Sequence, residues 1–157
     1  LRAAIPLAAA LLAACGAAPS NRAGPPSPRT APSGLELVAL TIEGRGRSHA
    51  FSVEIARTAS QQEQGLMNRR SLAPDTGMLF PFDPPRPASF WMRDTLIPLD
   101  MIFIRPDGTI ARIAANTVPM SEAHVEVTEP VTAVLEIAGG RAAQLGISDG
   151  DRVSWND

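Results

Sequence analysis

The chain reads as a single small domain of β-rich α+β class: a mostly antiparallel, partly closed barrel or sandwich of about seven strands with two short helices. Three observations predict it. Short β-prone stretches, several alternating apolar and polar with period two, recur from residue 35 to residue 155 between Gly, Pro and Asp-Gly turn signals. Helix start or stop signals occur at only two places. No alternation of strands with long helices is visible, so a doubly wound parallel sheet is not expected. With 157 residues and 45% hydrophobic content, the chain has the core of one ordinary domain.

The elements follow in order. Residues 35–43 (LELVALTIE) alternate, Gly44-Arg45-Gly46 turns the chain, and residues 49–55 alternate again with Phe51, Val53 and Ile55 on one face, which predicts a hairpin. Thr58 with Gln61 three residues later resembles a capping box, so a short helix should run from about Ala59 until Gly65 stops it. Residues 68–87 are polar and broken by prolines around one apolar stretch, Gly77-Met78-Leu79-Phe80. Residues 88–94 (ASFWMRD) form a strand candidate with Trp91 and Arg93 on one face. Residues 99–104 (LDMIFI) are apolar on both faces, as a strand in the middle of a core must be. Pro106-Asp107-Gly108 joins it to residues 109–114 in a second hairpin. Residues 122–128 and 131–137 are further strand candidates, and a turn or two of helix over residues 141–145 should end at Gly146. Asp149-Gly150 then leads into a final strand, residues 152–155.

The first thirty-four residues have a different character. Arg2 and an apolar run over residues 3–14 form a segment rising only about 18 Å as a helix, too short for a hydrocarbon core of about 30 Å but suited to a signal peptide over residues 1–14. The run ends in Leu12-Ala13-Ala14-Cys15-Gly16, which resembles the lipobox of bacterial lipoproteins. That resemblance implies lipidation of Cys15 and anchorage to a membrane by buried acyl chains. Ordinary signal cleavage with Cys15 incidental is the alternative. Residues 15–34 are rich in Pro, Ala and Ser and read as a tether to the domain of residues 35–157. The expected address is the periplasmic side of a membrane, the outer one if the host is Gram-negative, because no aspartate follows the cysteine.

Composition excludes several functions. One cysteine permits neither an internal disulfide framework nor a CxxC arrangement, and all 14 basic residues are arginine, so a Schiff-base lysine is impossible. From Leu35 onward 11 arginines face all 16 acids, a balance of 11 − 16 = −5, which repels a phosphate backbone; nucleic acid is not an expected partner. No Gly-x-Ser-x-Gly elbow or phosphate-cradling glycine loop is present, and no cofactor is expected.

The stretch from Gln64 to Phe103 is similar to a known family. Gly65-Leu66-Met67, Gly77-Met78-Leu79-Phe80, the run from Phe90 to Asp100 and Ile102-Phe103 resemble the family called domain of unknown function 192. So do Leu135-Glu136 through Gly140, Gly146-Ile147 and Gly150-Asp151-Arg152-Val153. The resemblance implies a compact β-rich fold and a prokaryotic envelope setting, and it implies no activity. Family members often carry Lys-Asn where Arg93-Asp94 stand here. Residues 142–153 also read like a segment of PDZ domains, a shared helix–turn–strand solution, since the carboxylate-binding loop of those domains is missing.

The candidate ligand-binding surface combines Arg69, Trp91, Arg93, Asp94, Asp100 and Glu136. Asp94 and Asp100 flank a turn that could bring two carboxylates together and raise the pKa of one. The plainer alternative pairs Arg93 with one of them and lets Asp100 bond backbone N–H groups. Glu136 interrupts an apolar strand and, if buried, needs a partner such as Arg69, Arg70 or Arg93. Glu122, His124 and Glu126 would share a strand face, but their spacing of about 7 Å is wide for one metal ion. Met67, Met78, Met92, Met101 and Met120 are soft ligands for copper(I) or simply core filler. The leading expectation is a non-enzymatic envelope module that binds a small ligand or a partner protein. A carboxylate-based hydrolase or lyase and a copper(I) carrier are the alternatives.

Overall fold

The computed structural model describes residues 29–156. The expected signal segment, Cys15 and most of the expected tether lie outside the described residues. In chain order the elements are β1 (Arg29–Thr30), β2 (Glu36–Gly44), β3 (Arg47–Ile55), α1 (Ala59–Gln64), β4 (Thr76–Phe90), β5 (Leu99–Ile104), β6 (Ile110–Ala114), β7 (Val125–Ala138), α2 (Arg141–Leu145) and β8 (Arg152–Trp155). The β-rich class and the two short helices are as expected. Thr58 and Gln61 form the capping box, and Gly146 ends α2 in the left-handed conformation.

All strands belong to one sheet in the order β1-β2-β3-β4-β7-β5-β6. The sheet curls because β8 pairs with the free side of β2 through Leu40–Glu43 while Arg152 bridges to Thr109 ahead of β6. A partly closed barrel results. Its interior is filled by Leu40, Ile42, Val53, Ile55, Leu79, Ile102, Leu135 and Ile137, together with Ile147. The opposite face of β4, β5 and β7 carries a second cluster, with Met78, Phe80, Met101, Phe103 and Val134 packed against Leu66 and Met92. The middle of the sheet is therefore buried on both sides, and all six residues of β5 are buried.

Four expectations are corrected. First, β3 and β4 pair in parallel through α1, so one β–α–β connection does exist in an otherwise antiparallel sheet. Second, β4 runs for 15 residues through the proline-rich stretch, pairing with β7 across register shifts at Pro81, Arg86 and Ala88. Third, β4 stops at Phe90, and Trp91 to Asp94 form the turn beyond it. Fourth, folded structure begins before Leu35. Arg29–Thr30 pair with β2, Ala31 is buried, and Ser33 bonds Glu54, so the end of the expected tether belongs to the sheet.

One carboxylate ties β5, the 116 loop and α2 together. Asp100 is fully buried, and its Oδ1 accepts the backbone N–H groups of Asn116 (2.8 Å) and Gly140 (2.9 Å). Its Oδ2 accepts that of Ala142 (2.8 Å). An anion that receives several N–H donors needs no cation beside it. Replacing it by Asp100→Ala leaves three backbone donors, that of Ala142 fully buried, without their acceptor and should lower the unfolding free energy by about 3 kcal/mol in urea denaturation. A change within the usual surface range of about 0.5 kcal/mol would contradict this role.

Candidate functional site

Glu136 lies in β7 with a strand on each side. Met78 of β4 and Met101 of β5 are its register partners, so the carboxyl emerges on the second-cluster face between two thioethers. β4 can approach because residue 77 is glycine: a Cβ there would stand 2.2 Å from the Glu136 carbonyl oxygen. The residue is only 5% exposed, and among the described residues its carboxyl has no hydrogen-bond or ion-pair partner. Burial pushes its pKa from an ordinary 4.5 up to about 8.

The carboxyl faces a cavity of about 330 Å³. Aromatic side chains of β4 and the following residue form much of the wall: Phe80, Phe82, Phe90 and Trp91. Phe80 and Phe90 meet edge to face at 5.2 Å between centroids, and Phe82 lies 6.4 Å from Phe90. Opposite them, α1 and the turn after it supply Gln62, Glu63, Gly65, Leu66 and Met67. The helix is tied down by Gln62, whose Nε2 donates to the carbonyls of Ala56 (3.1 Å) and Pro81 (3.0 Å). Arg86, Ser89, Thr95 and His124 complete the lining. Ser89 Oγ sits 2.8 Å from His124 Nδ1, and the His124 ring lies 5.5 Å from that of Trp91. Two arginines rest on ring faces here: the Arg86 Cζ is 4.0 Å from the Phe82 centroid and the Arg93 Cζ 3.9 Å from that of Trp91.

The six sequence candidates separate. Trp91 and Glu136 line the same cavity, and Arg93 covers the Trp91 ring. Asp94 does not line it. It is exposed in a left-handed turn (φ 55°), a conformation that Asn and Asp adopt most readily among residues with a side chain, and its carbonyl accepts the Asn68 N–H. Asp100 projects toward the barrel interior, the face opposite Glu136, because Met101 rather than Asp100 stands in register with Glu136. The two carboxylates cannot work together. Arg69 serves a different acid: its two Nη atoms clasp the Glu54 carboxylate, which also accepts from Ser33 Oγ at 2.5 Å. Burial pushes the Glu54 carboxyl up, but the hydrogen bonds from Arg69 and Ser33 and the charge of Arg69 outweigh it, leaving its pKa lowered. Arg69 thus pins the loop after α1 to β3.

Sequence reasoning missed the three phenylalanines and α1's contribution, and grouped His124 with Glu122 and Glu126 rather than with this cavity. The usable signal was the pairing of Gly77-Met78-Leu79-Phe80 with the strand of Glu136, which the intervening prolines hide. The methionines divide among three settings. Met78, Met92 and Met101 are buried core, Met67 lines the cavity, and Met120 is exposed. Among the described residues no group of three or more His, Cys, Asp or Glu is placed to hold a metal ion, and Glu122 and His124 precede β7 rather than lying in it.

Comparison with known proteins places this geometry in a family. The DUF192 family model, described as an uncharacterized ACR, matches residues 40–155. No curated protein matches the chain. A crystal structure of a protein of unknown function from Novosphingobium aromaticivorans is similar, with 47% identity and a TM-score of 0.80 over 83% of this chain and 94% of that one. A second, described as a putative transcription regulator from Sinorhizobium meliloti, shares 48% identity and a TM-score of 0.75 over 77% of this chain and 95% of its own.

Glu136 also gives the fold a pH signature. Its folded-state pKa is above the unfolded value, so between about pH 4.5 and 8 the folded chain keeps a proton that the unfolded chain has released. Stability should fall as pH rises through that window, by up to about 1.4 kcal/mol per pH unit. Glu136→Gln has no such proton to lose. Urea unfolding at about pH 5 and about pH 8.5 should show a decline in the parent protein that the variant lacks. Parallel declines in both would place the carboxyl in water.

Proposed function

The chain belongs to the DUF192 family, and from that membership and the cavity we propose that it binds a small ligand at Glu136, as a non-enzymatic module of the cell envelope. One observation carries this reading: a nearly fully buried carboxyl, without a partner among the described residues, faces an aromatic-walled cavity. Buried polar groups are ordinarily satisfied within the protein, and an unsatisfied one costs stability. A ligand that bonds the carboxyl offsets that cost at the moment of binding. The volume falls in the range of small-molecule pockets, and the mixture of ring faces with a few polar groups is their usual composition. A concave site of this size favours a small molecule over a flat protein partner.

A second reading has one observation in its favour. A carboxyl that keeps its proton near neutrality is suited to general acid catalysis, and Glu63 supplies another carboxylate to the lining. Asp94 and Asp100, the acids first suspected, take no part in the lining.

Ligand-detected NMR with a panel of small neutral, anionic and cationic aromatic compounds tests the binding reading. At least one class should show saturation transfer that Ser89→Trp, placing an indole from an exposed position at the cavity, reduces by about tenfold or more in affinity. Unchanged binding in that variant, or no binder in any class, overturns the reading.

The membrane address rests on the run of small residues before Cys15. In our reading the lipidated cysteine holds the module at a bilayer, with the Pro-rich segment after it giving reach. Expressed in a Gram-negative host, the chain should incorporate labelled fatty acid and sediment with membranes. Cys15→Ala should lose the label and leave the membrane fraction. Retention of the label by that variant would overturn the anchor.

A further inference from the structure

We infer that the ligand is an organic cation: an ammonium group on a small apolar body, its charge seated against the Glu136 carboxylate among the aromatic rings of β4. The inference rests on the small-ligand reading and goes beyond it by naming the charge.

Its first support is a missing counter-charge. A carboxylate taken out of water needs a cation or several N–H donors, and Asp100 on the other side of the same sheet receives the latter. Glu136 receives neither among the described residues. Its cross-strand neighbours, Met78 and Met101, offer only thioether sulfurs, which have no hydrogen to donate. The charged or titratable groups on the cavity wall are Glu63 from α1, Arg86 from β4 and His124 from the loop before β7; β5 contributes none. Arg86 is drawn off to the Phe82 face, and burial alone accounts for the state of the Glu136 carboxyl, with no arginine opposing it. A neutral ligand would need nothing that a glutamine could not provide. Glutamate differs from it in being able to ionise, and that ability has a use here when the positive charge arrives with the ligand.

The second support is the chemistry of the walls. The ring faces of Phe82 and Trp91 already hold guanidinium groups, at 4.0 and 3.9 Å. Phe80 and Phe90, with no such group on them among the described residues, are electron-rich surfaces of the same kind beside the carboxyl. A lone metal ion would find no cluster of three or more His, Cys, Asp or Glu placed to hold it among the described residues. An ammonium ion on an apolar body uses both the rings and the acid.

Binding then carries a proton balance. The free protein holds a proton on Glu136 at neutral pH, and the cation displaces it to solvent as the carboxylate forms. Calorimetry with benzylammonium, carried out in two buffers of different ionisation enthalpy near pH 7, should report release approaching one proton per molecule bound. Affinity should rise with pH, by up to about tenfold per unit, until about pH 8 and then level off. Glu136→Gln should weaken benzylammonium about thirtyfold or more and abolish the proton release that accompanies its binding. Benzyl alcohol binding as tightly as benzylammonium, or cation binding without proton release, overturns the cation assignment and leaves the small-ligand reading intact. Failure of every compound in the neutral, anionic and cationic panel removes that reading, and this inference with it.

Discussion

Burial of the central strands on both faces is the constraint from which the rest of the structure follows. β7 lies between β4 and β5, with the barrel interior on one side and the α1-covered cluster on the other. Every buried side chain of its C-terminal part must therefore be apolar, or find a partner, or open onto a cavity. Val131, Ala133, Val134, Leu135 and Ile137 meet the first condition. Glu136 meets the third, and it does so because α1, Leu66 and the end of β4 leave a gap above it rather than closing over it.

Asp100 and Glu136 set the two solutions side by side. They occupy adjacent strands one register step apart and point to opposite faces. At Asp100 the chain folds around the charge: the Asn116 loop and the start of α2 both turn their backbone donors toward it. The result is a rigid corner holding β5, α2 and the loop in one piece. At Glu136 none of the described residues bonds the acid, and its neighbours include thioether sulfur and aromatic carbon. The first carboxylate is structural by its bonds. The second has chemistry left over. Glu54 shows the third way of burying an acid, with Arg69 and Ser33 as fixed partners, and that pair secures the loop running from α1 into β4.

Much of this architecture was legible in the sequence wherever one local rule decided it. The capping box at Thr58, the Asp107-Gly108 turn, the Gly146 stop and the doubly apolar 99–104 strand all follow from patterns a few residues long. What could not be read was register. Whether Asp100 or Met101 stands opposite Glu136 shifts a carboxylate from one side of the sheet to the other, and a one-residue slip leaves no mark on composition. The prolines between Pro81 and Pro87 concealed the long strand β4 for a related reason. Beyond Leu79 it has no β3 partner, so one of its sides is free of ladder hydrogen bonds and can tolerate residues that donate none. Trp91 and Glu136 did converge on one concavity, because both flank the same β4–β7 pairing. Arg69 and Asp94 did not, since each answers to a local demand: a buried acid in one case and a left-handed turn in the other.

A protein that keeps a desolvated acid on a cavity wall carries a stability cost that a single substitution could remove. A methionine or leucine at position 136 would continue the apolar strand and pack against Met78 and Met101 without an ionisable group. Local rules of folding are broken chiefly where function demands it. Here the break falls at Glu136, set where four aromatic rings, a tied-down helix and a glycine-permitted close approach of two strands all converge. The surrounding network is otherwise complete, with Asp100 and Glu54 both satisfied. A desolvated acid without a partner among the described residues, opening onto a cavity of small-molecule size, is the pattern expected of a group whose partner is supplied from outside the chain.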